Sequence, residues 1–212
     1  MIQIKIIPMH LFVYLHGFKS SPLSNKAQLT KAAIETRIQL GEQITWYCPQ
    51  LPASPRAAIA MVREHIDGQT FGHLSLMGSS LGGYYATHLG ELFPSKVSLL
   101  NPAIEPARDL EKYIGEQKSW HQEEVCHFLP EYIQELQDIY VKNISQAERY
   151  FLLAAKGDEV LDWREMVAKY PGAQQLILEG GDHAISDYPN YLNQLMQFHF
   201  TALASLTHLK PT

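Results

Sequence analysis

One stretch constrains this chain more than any other: Leu74–Ser75–Leu76–Met77–Gly78–Ser79–Ser80–Leu81–Gly82–Gly83–Tyr84. An apolar run of strand length breaks at Gly-Ser-Ser-Leu-Gly-Gly. Apolar residues then recur at helical spacing through Ala86, Leu89 and Phe93. A strand that turns at once into a helix needs small residues where the two backbones meet. A Gly-x-Ser-x-Gly in that corner can present its serine as a nucleophile. The glycine spacing selects Ser80, which has Gly78 two residues before it and Gly82 two after, whereas Ser79 has neither. A plain strand-to-helix turn fits the same five residues, so the pattern needs partners elsewhere in the chain.

The surrounding sequence supplies a scaffold for such a corner. Leu11–Leu15 is a continuous apolar run, as a strand buried on both faces requires. Ser24 can cap a helix reaching to about Leu40, with Gly41 as its C′ residue, and Ile44–Cys48 makes a second strand. Ser54 and Pro55 form an N-cap and N1 pair for a helix that stops at Gly68. Val97–Leu100, Tyr150–Ala154 and Leu176–Leu178 add strands, with a helical stretch from Asp162 to Tyr170. A final amphipathic helix carries Leu192, Leu195, Met196, His199, Leu203 and Leu206 on one stripe. Six strands alternating with helices predict an α/β fold, a doubly wound and mostly parallel sheet in a single domain over 1–212. The alternation breaks over 103–149, where Glu, Gln and aromatic residues predict an insertion of two or three short helices. That insertion either covers a sheet edge or caps the site and lends it apolar walls. Residues 1–8 read as an extension or an extra edge strand.

Bulk properties exclude several classes. A net charge of −5 over 212 residues gives no electrostatic case for nucleic acid or an anionic membrane as partner. Cys48 and Cys126 are too few and too far apart for a disulfide framework or a metal knot. Cys48, in an apolar run, reads as a small buried residue. Neither a secretory leader nor an apolar stretch of membrane-spanning length is seen, so a cytoplasmic protein is expected.

A serine hydroxyl needs a base to take its proton, and that base needs a carboxylate to orient it. Of ten histidines, His183 is placed for the task, directly after the last strand in Glu179–Gly180–Gly181–Asp182–His183. His65, His88, His121, His127, His199 and His208 fall in helical segments and read as surface or boundary residues. No histidine pair has convincing metal-ligand spacing with other donors. Asp158 follows the fifth strand in Gly157–Asp158–Glu159 and is the favoured acid. Asp162 reads better as a helix cap, while Glu105 and Asp182 are alternative acids. The oxyanion donors are the N–H of Leu81, which follows the nucleophile, and the N–H of Phe18, after Gly17. His16 shapes that loop through ring hydrogen bonds. Tyr84, Trp120 and Phe128 are the candidate substrate-binding residues.

Five blocks together resemble the α/β-hydrolase superfamily over essentially the whole chain, and within it the small bacterial YqiA-type esterases. They are Tyr14–Leu15–His16–Gly17–Phe18–Lys19–Ser20–Ser21–Pro22, the elbow from Gly78 to Ala86, Leu100–Asn101–Pro102–Ala103, Gly157–Asp158–Glu159–Val160–Leu161–Asp162, and Gly180–Gly181–Asp182–His183. The resemblance implies an α/β-hydrolase fold with a small helical cap. It further implies an esterase of short- to medium-chain acyl esters or of acyl-CoA thioesters, with no cofactor. It carries the nucleophile onto Ser80, the acid onto Asp158 and the base onto His183. The residues before Met9 depart from the pattern, as does Lys19, where a small polar residue is common. The rival functions are a peptidase, lactonase or amidase with the same triad, and a non-catalytic interaction module on the same fold.

Overall fold

The structure, a computed structural model, describes residues 9–118 and 125–201. β1 (His10–Leu15), α1 (Asn25–Gln39), β2 (Ile44–Tyr47), α2 (Pro55–Asp67), β3 (His73–Ser79), α3 (Leu81–Leu92) and β4 (Lys96–Leu100) alternate strictly. The insertion contributes α4 (Pro106–Leu110), β5 (Gly115–Lys118), β6 (Val125–Phe128) and α5 (Glu131–Asp138). β7 (Tyr150–Ala155), α6 (Trp163–Lys169), β8 (Gln174–Leu178) and α7 (Pro189–Phe200) then resume the alternation.

The main sheet has six strands in the order β2-β1-β3-β4-β7-β8, every pair parallel. Parallel strands need long crossovers, and the helices that provide them cover both faces. Successive strand residues therefore feed two cores in turn. Leu11, Val13, Leu76, Val97, Leu99 and Leu152 pack with α2 and α3, while Phe12, Tyr14, Met77, Leu100 and Leu153 pack with α1 and α7. The five side chains from Leu11 to Leu15 are wholly buried. Each such burial contributes about 1.5–3 kcal/mol. All six C-terminal strand ends lie along one edge, which gathers the loops after β1, β3, β4, β7 and β8.

Helix ends follow the expected residues with one exception. Ser54 accepts the Ala57 N–H at the start of α2, with Pro55 at the first position, and Asp162 accepts the Arg164 N–H at the start of α6. Gly41 adopts φ +93° just past α1. Ser24 occupies the N-cap of α1 without a side-chain bond there, and Ser21 Oγ takes the Leu23 N–H instead.

The insertion differs from the helical expectation. Between α4 and α5 lies an antiparallel hairpin, β5–β6, so His127 sits on a strand. The polar run Gly115–Glu116–Gln117–Lys118 carries no apolar alternation, which is why period counting misses it. Phe128 at the end of β6 is wholly buried against Phe18 and Tyr132. α5 is tied down from two sides. Tyr84 donates its hydroxyl to the Leu136 carbonyl at 2.7 Å, and Glu135 accepts from Ser54 Oγ at 2.6 Å and from the Arg56 N–H at 3.1 Å.

His199 is not a boundary residue. It is buried beneath α7 with its Nε2 2.7 Å from Ser98 Oγ, a polar partner that β4 provides inside the core. Leu203 and Leu206 of the expected stripe, together with Trp120, His121, His208 and residues 1–8, lie outside the described residues. Among the described residues, no helix is long and apolar enough to cross a membrane.

Candidate active site

Ser80 stands between β3 and the first residue of α3 with φ +55° and ψ −122°. An L-residue there stores on the order of 1–3 kcal/mol of strain and persists only when its surroundings hold it. The Ser80 N–H donates to the Leu100 carbonyl at 3.0 Å, and its own carbonyl accepts from Gly83 at 2.9 Å and Ala103 at 3.0 Å. The flanking glycines have a steric cause. A Cβ on Gly78 would lie 2.1 Å from the Gly82 carbonyl oxygen, and one on Gly82 would lie 2.0 Å from that of Leu15.

The loop after β8 brings His183 to the same corner. Its Nε2 lies 3.0 Å from Ser80 Oγ and its Nδ1 lies 2.8 Å from Asp158 Oδ2. The other carboxylate oxygen of Asp158 accepts the Val160 and Leu161 N–H groups, both at 2.8 Å. Those two bonds fix the rotation of a side chain that is wholly buried. A carboxylate only accepts, so the Nδ1 proton points at Asp158 and leaves Nε2 bare to accept the Ser80 hydroxyl proton. Of the alternative acids, Asp182 is turned away. Its carboxylate accepts from the Ser186 hydroxyl and N–H, bonds that hold its pKa below the usual carboxylate value. Glu105 sits at the N-cap of α4.

Two groups that sequence reasoning passed over also hold the His183 loop. Glu159 accepts the His183 N–H at 3.0 Å, where the sequence only suggested that it faces elsewhere than Asp158. Lys26, on the first turn of α1, donates to the Ala184 carbonyl at 2.5 Å. Burial pulls the Lys26 ammonium down to about 8, against the pull of Asp182 and Asp158. Glu159 lies in the Gly157–Asp162 block and Lys26 in none, but neither residue carries a signal that it would bind the backbone of the His183 loop.

A cavity of about 590 Å³ opens over Ser80 and His183, with Phe18, Leu81, Leu110 and Tyr113 among its walls. Leu81 is the first residue of α3, so its N–H is one of those left without an intrahelical partner. Gly17 lets the preceding loop close in, since a Cβ there would lie 3.1 Å from Ser80 Cβ. His16 Nε2 accepts the Leu51 N–H at 3.0 Å, leaving its Nδ1–H for the Gly17 carbonyl at 3.0 Å. Its ring is therefore used in shaping the loop. Lys19, Lys26, Lys112 and Asp109 also line the cavity.

The substrate-binding expectation needs correction. Tyr84 and Phe128 do not line the cavity. Tyr84 points into the core toward α5, where burial pushes its phenol above the usual value, and Phe128 backs Phe18 from behind. Trp120 lies outside the described residues. Among the described residues, no three His, Cys, Asp or Glu side chains are grouped to hold a metal ion.

Comparison with solved structures agrees on the architecture. A protein from Agrobacterium vitis S4 superposes with a TM-score of 0.68 at 18% identity, over 90% of this chain and 88% of that one. Alpha/beta hydrolase domain-containing protein 10 from mouse gives 0.59 at 18% identity, over 88% and 89%. Carboxylesterase CesB (YbfK) from Bacillus subtilis gives 0.55 at 16% identity, over 92% and 85%. The fold is that of the α/β hydrolases, and the chain belongs to the uncharacterised protein family UPF0227, which it matches over residues 11–200.

Proposed function

We propose that this protein is a serine hydrolase of acyl esters, working through Ser80, His183 and Asp158. The observation that carries the reading is the unbroken chain from Asp158 Oδ2 through His183 to Ser80 Oγ, opening onto a cavity. Ser80 Oγ attacks the carbonyl carbon while Nε2 takes its proton, and Asp158 stabilises the imidazolium that forms. The Leu81 and Phe18 N–H groups hold the oxyanion. Collapse expels the alcohol or thiol, which leaves with the proton from Nε2. Water then gives a proton to Nε2 and attacks the acyl-serine. Release of the carboxylic acid returns the proton to Ser80. The insertion over 103–149 acts as the cap, since Leu110 and Tyr113 from it wall the cavity.

The three lysines of that lining favour a second, narrower reading within the same chemistry. They suit a leaving group with negative charge, as in acyl-CoA thioesters. Ser80→Ala is expected to lower kcat/KM on p-nitrophenyl butyrate by at least about 10³-fold. Full activity in that variant would remove Ser80 as nucleophile. Parallel kcat/KM values on butyryl-CoA and on an aminoacyl amide separate thioesterase from amidase or peptidase.

A further inference from the structure

Asn101 follows β4, fully buried, with φ +41°. Asparagine tolerates this left-handed backbone better than most residues. Its side-chain amide is fully used. Nδ2 donates to the Asp182 carbonyl at 3.0 Å and to the His183 carbonyl at 3.2 Å, while Oδ1 accepts the Ala155 N–H at 2.8 Å. Two carbonyls on one side and an N–H on the other leave the amide a single orientation. The backbone at Asn101 is engaged too, its N–H donating to the Leu153 carbonyl at 2.9 Å.

These bonds join the three catalytic loops, which come from three different strands. Ala155 ends the strand that leads into Asp158, and the two carbonyls belong to the loop that carries the base. The residues around Asn101 clamp the nucleophile, because Leu100 accepts the Ser80 N–H and Ala103 donates to the Ser80 carbonyl. Only a side chain with paired donors and an acceptor can bridge these groups. Aspartate offers acceptors to two carbonyls, and an aliphatic residue would leave three buried polar groups unsatisfied.

Resting on the serine-hydrolase reading, we propose that Asn101 is a positioning residue for His183. It holds the base loop against the strand end that bears Asp158, so that Nδ1 meets the carboxylate and Nε2 meets Ser80 at once. A displacement of about 1 Å in such a group can cost on the order of 10²-fold in rate.

Two variants test this. Asn101→Gly keeps the left-handed backbone and removes all three side-chain bonds. Asn101→Asp keeps the shape and turns the donor into an acceptor. Both are assayed for kcat and KM on p-nitrophenyl butyrate, for the rate of Ser80 labelling by a fluorophosphonate, and for thermal midpoint. Ser98→Ala, a buried polar change remote from the cavity, serves as the control for lost stability. The expected result is a kcat lower by about 30–100-fold with KM within about threefold of the parent. Labelling slows by a similar factor, while Ser98→Ala keeps its kcat. If Asn101→Gly folds and retains kcat and labelling within threefold, the positioning role is overturned, however far the midpoint falls. Asn101→Gly decides the matter if Asn101→Asp does not fold. Activity retained in Ser80→Ala would sink the hydrolase reading itself. An inactive Ser80→Ala beside normal Asn101 variants would sink only the role of Asn101.

Discussion

Among the described residues there are three serine–histidine hydrogen bonds, and their surroundings differ sharply. Ser80 and His183 meet at 3.0 Å at the C-terminal edge of the sheet, whereas Ser75 meets His10 at 2.8 Å and Ser98 meets His199 at 2.7 Å beneath α7. The serines of the pairs beneath α7 sit in ordinary strands, both rings are closed off from solvent, and among the described residues no carboxylate is hydrogen-bonded to either imidazole. Burial, then His73, Arg37 and Lys96, holds His10 down to about 4, and burial holds His199 well below its ordinary value. Such rings stay neutral, and proton uptake would put an unpaired charge in the core. His183 has a buried carboxylate to receive that charge and a cavity to admit a substrate. The serine–histidine contact is common to all three, so the reactivity proposed for Ser80 must come from what stands behind the ring and in front of the hydroxyl.

The largest expected effect tests the carboxylate. Asp158→Asn should lower kcat by about 10⁴-fold, because an amide nitrogen in place of Oδ2 favours the wrong imidazole tautomer. Ser98→Ala should leave kcat within about twofold and lower stability by about 1–2 kcal/mol through the orphaned ring nitrogen of His199. Steady-state kinetics with denaturant unfolding read both. If the two variants fell equally in kcat, the distinction between the pairs would be lost.

The same contrast shows what sequence can carry. The elbow was legible because Gly78 and Gly82 are forced by contacts to Gly82 and Leu15 carbonyls, and steric necessity leaves a fixed spacing. The sheet was legible because strands buried on both faces need unbroken apolar runs. That His183 and Asp158 could meet beside Ser80 was legible from their place after strand ends. The β5–β6 hairpin was not, since Glu116, Gln117 and Lys118 give a strand no apolar period. His199 was misjudged because helical spacing shows a stripe but not the Ser98 hydroxyl waiting across it. Tyr84 was misjudged for a related reason: nearness to Ser80 in sequence does not say which side of α3 a ring leaves from. Glu159 and Lys26 act through backbone groups of a distant loop, and no motif records such contacts.

A smaller effect separates the buried pairs by pH. The folded value of His10 is depressed to about 4 from the ordinary 6.5, so between those pH values the unfolded chain binds a proton that the folded one does not. Stability contributed by the neutral ring is thus complete above pH 6.5 and falls as pH drops to 4. The loss reaches about 3 kcal/mol from this group. His199 adds in the same direction. Beside burial, His73, Arg37 and Lys96 act on the His10 ring and His10 and Lys96 on the His199 ring, all of them lowering the ring's pKa, so none offsets the loss. Denaturant midpoints at pH 7.5 and 5 should differ in the parent. They should differ less in His10→Phe/Ser75→Ala, which replaces the pair with apolar groups. An unchanged pH slope in that double variant would show that the acid sensitivity arises elsewhere.

The smallest effect returns to the base loop. Glu159 and Asn101 both bind the backbone of His183, one through its N–H and the other through its carbonyl. They differ in burial, since Asn101 is fully enclosed and Glu159 is exposed. Water can replace an exposed acceptor but cannot enter to replace a buried amide, so the loop should miss Glu159 far less. Glu159→Ala is expected to lower kcat by about threefold, and Glu159→Gln, which keeps an acceptor oxygen, by less than twofold. Both should leave KM unchanged in steady-state assays on p-nitrophenyl butyrate. A Glu159→Ala loss approaching that of Asn101→Gly would mean that the exposed bond orients the ring as firmly as the enclosed one. The grip on His183 would then be set by the number of tethers on its loop, irrespective of how deeply each is buried.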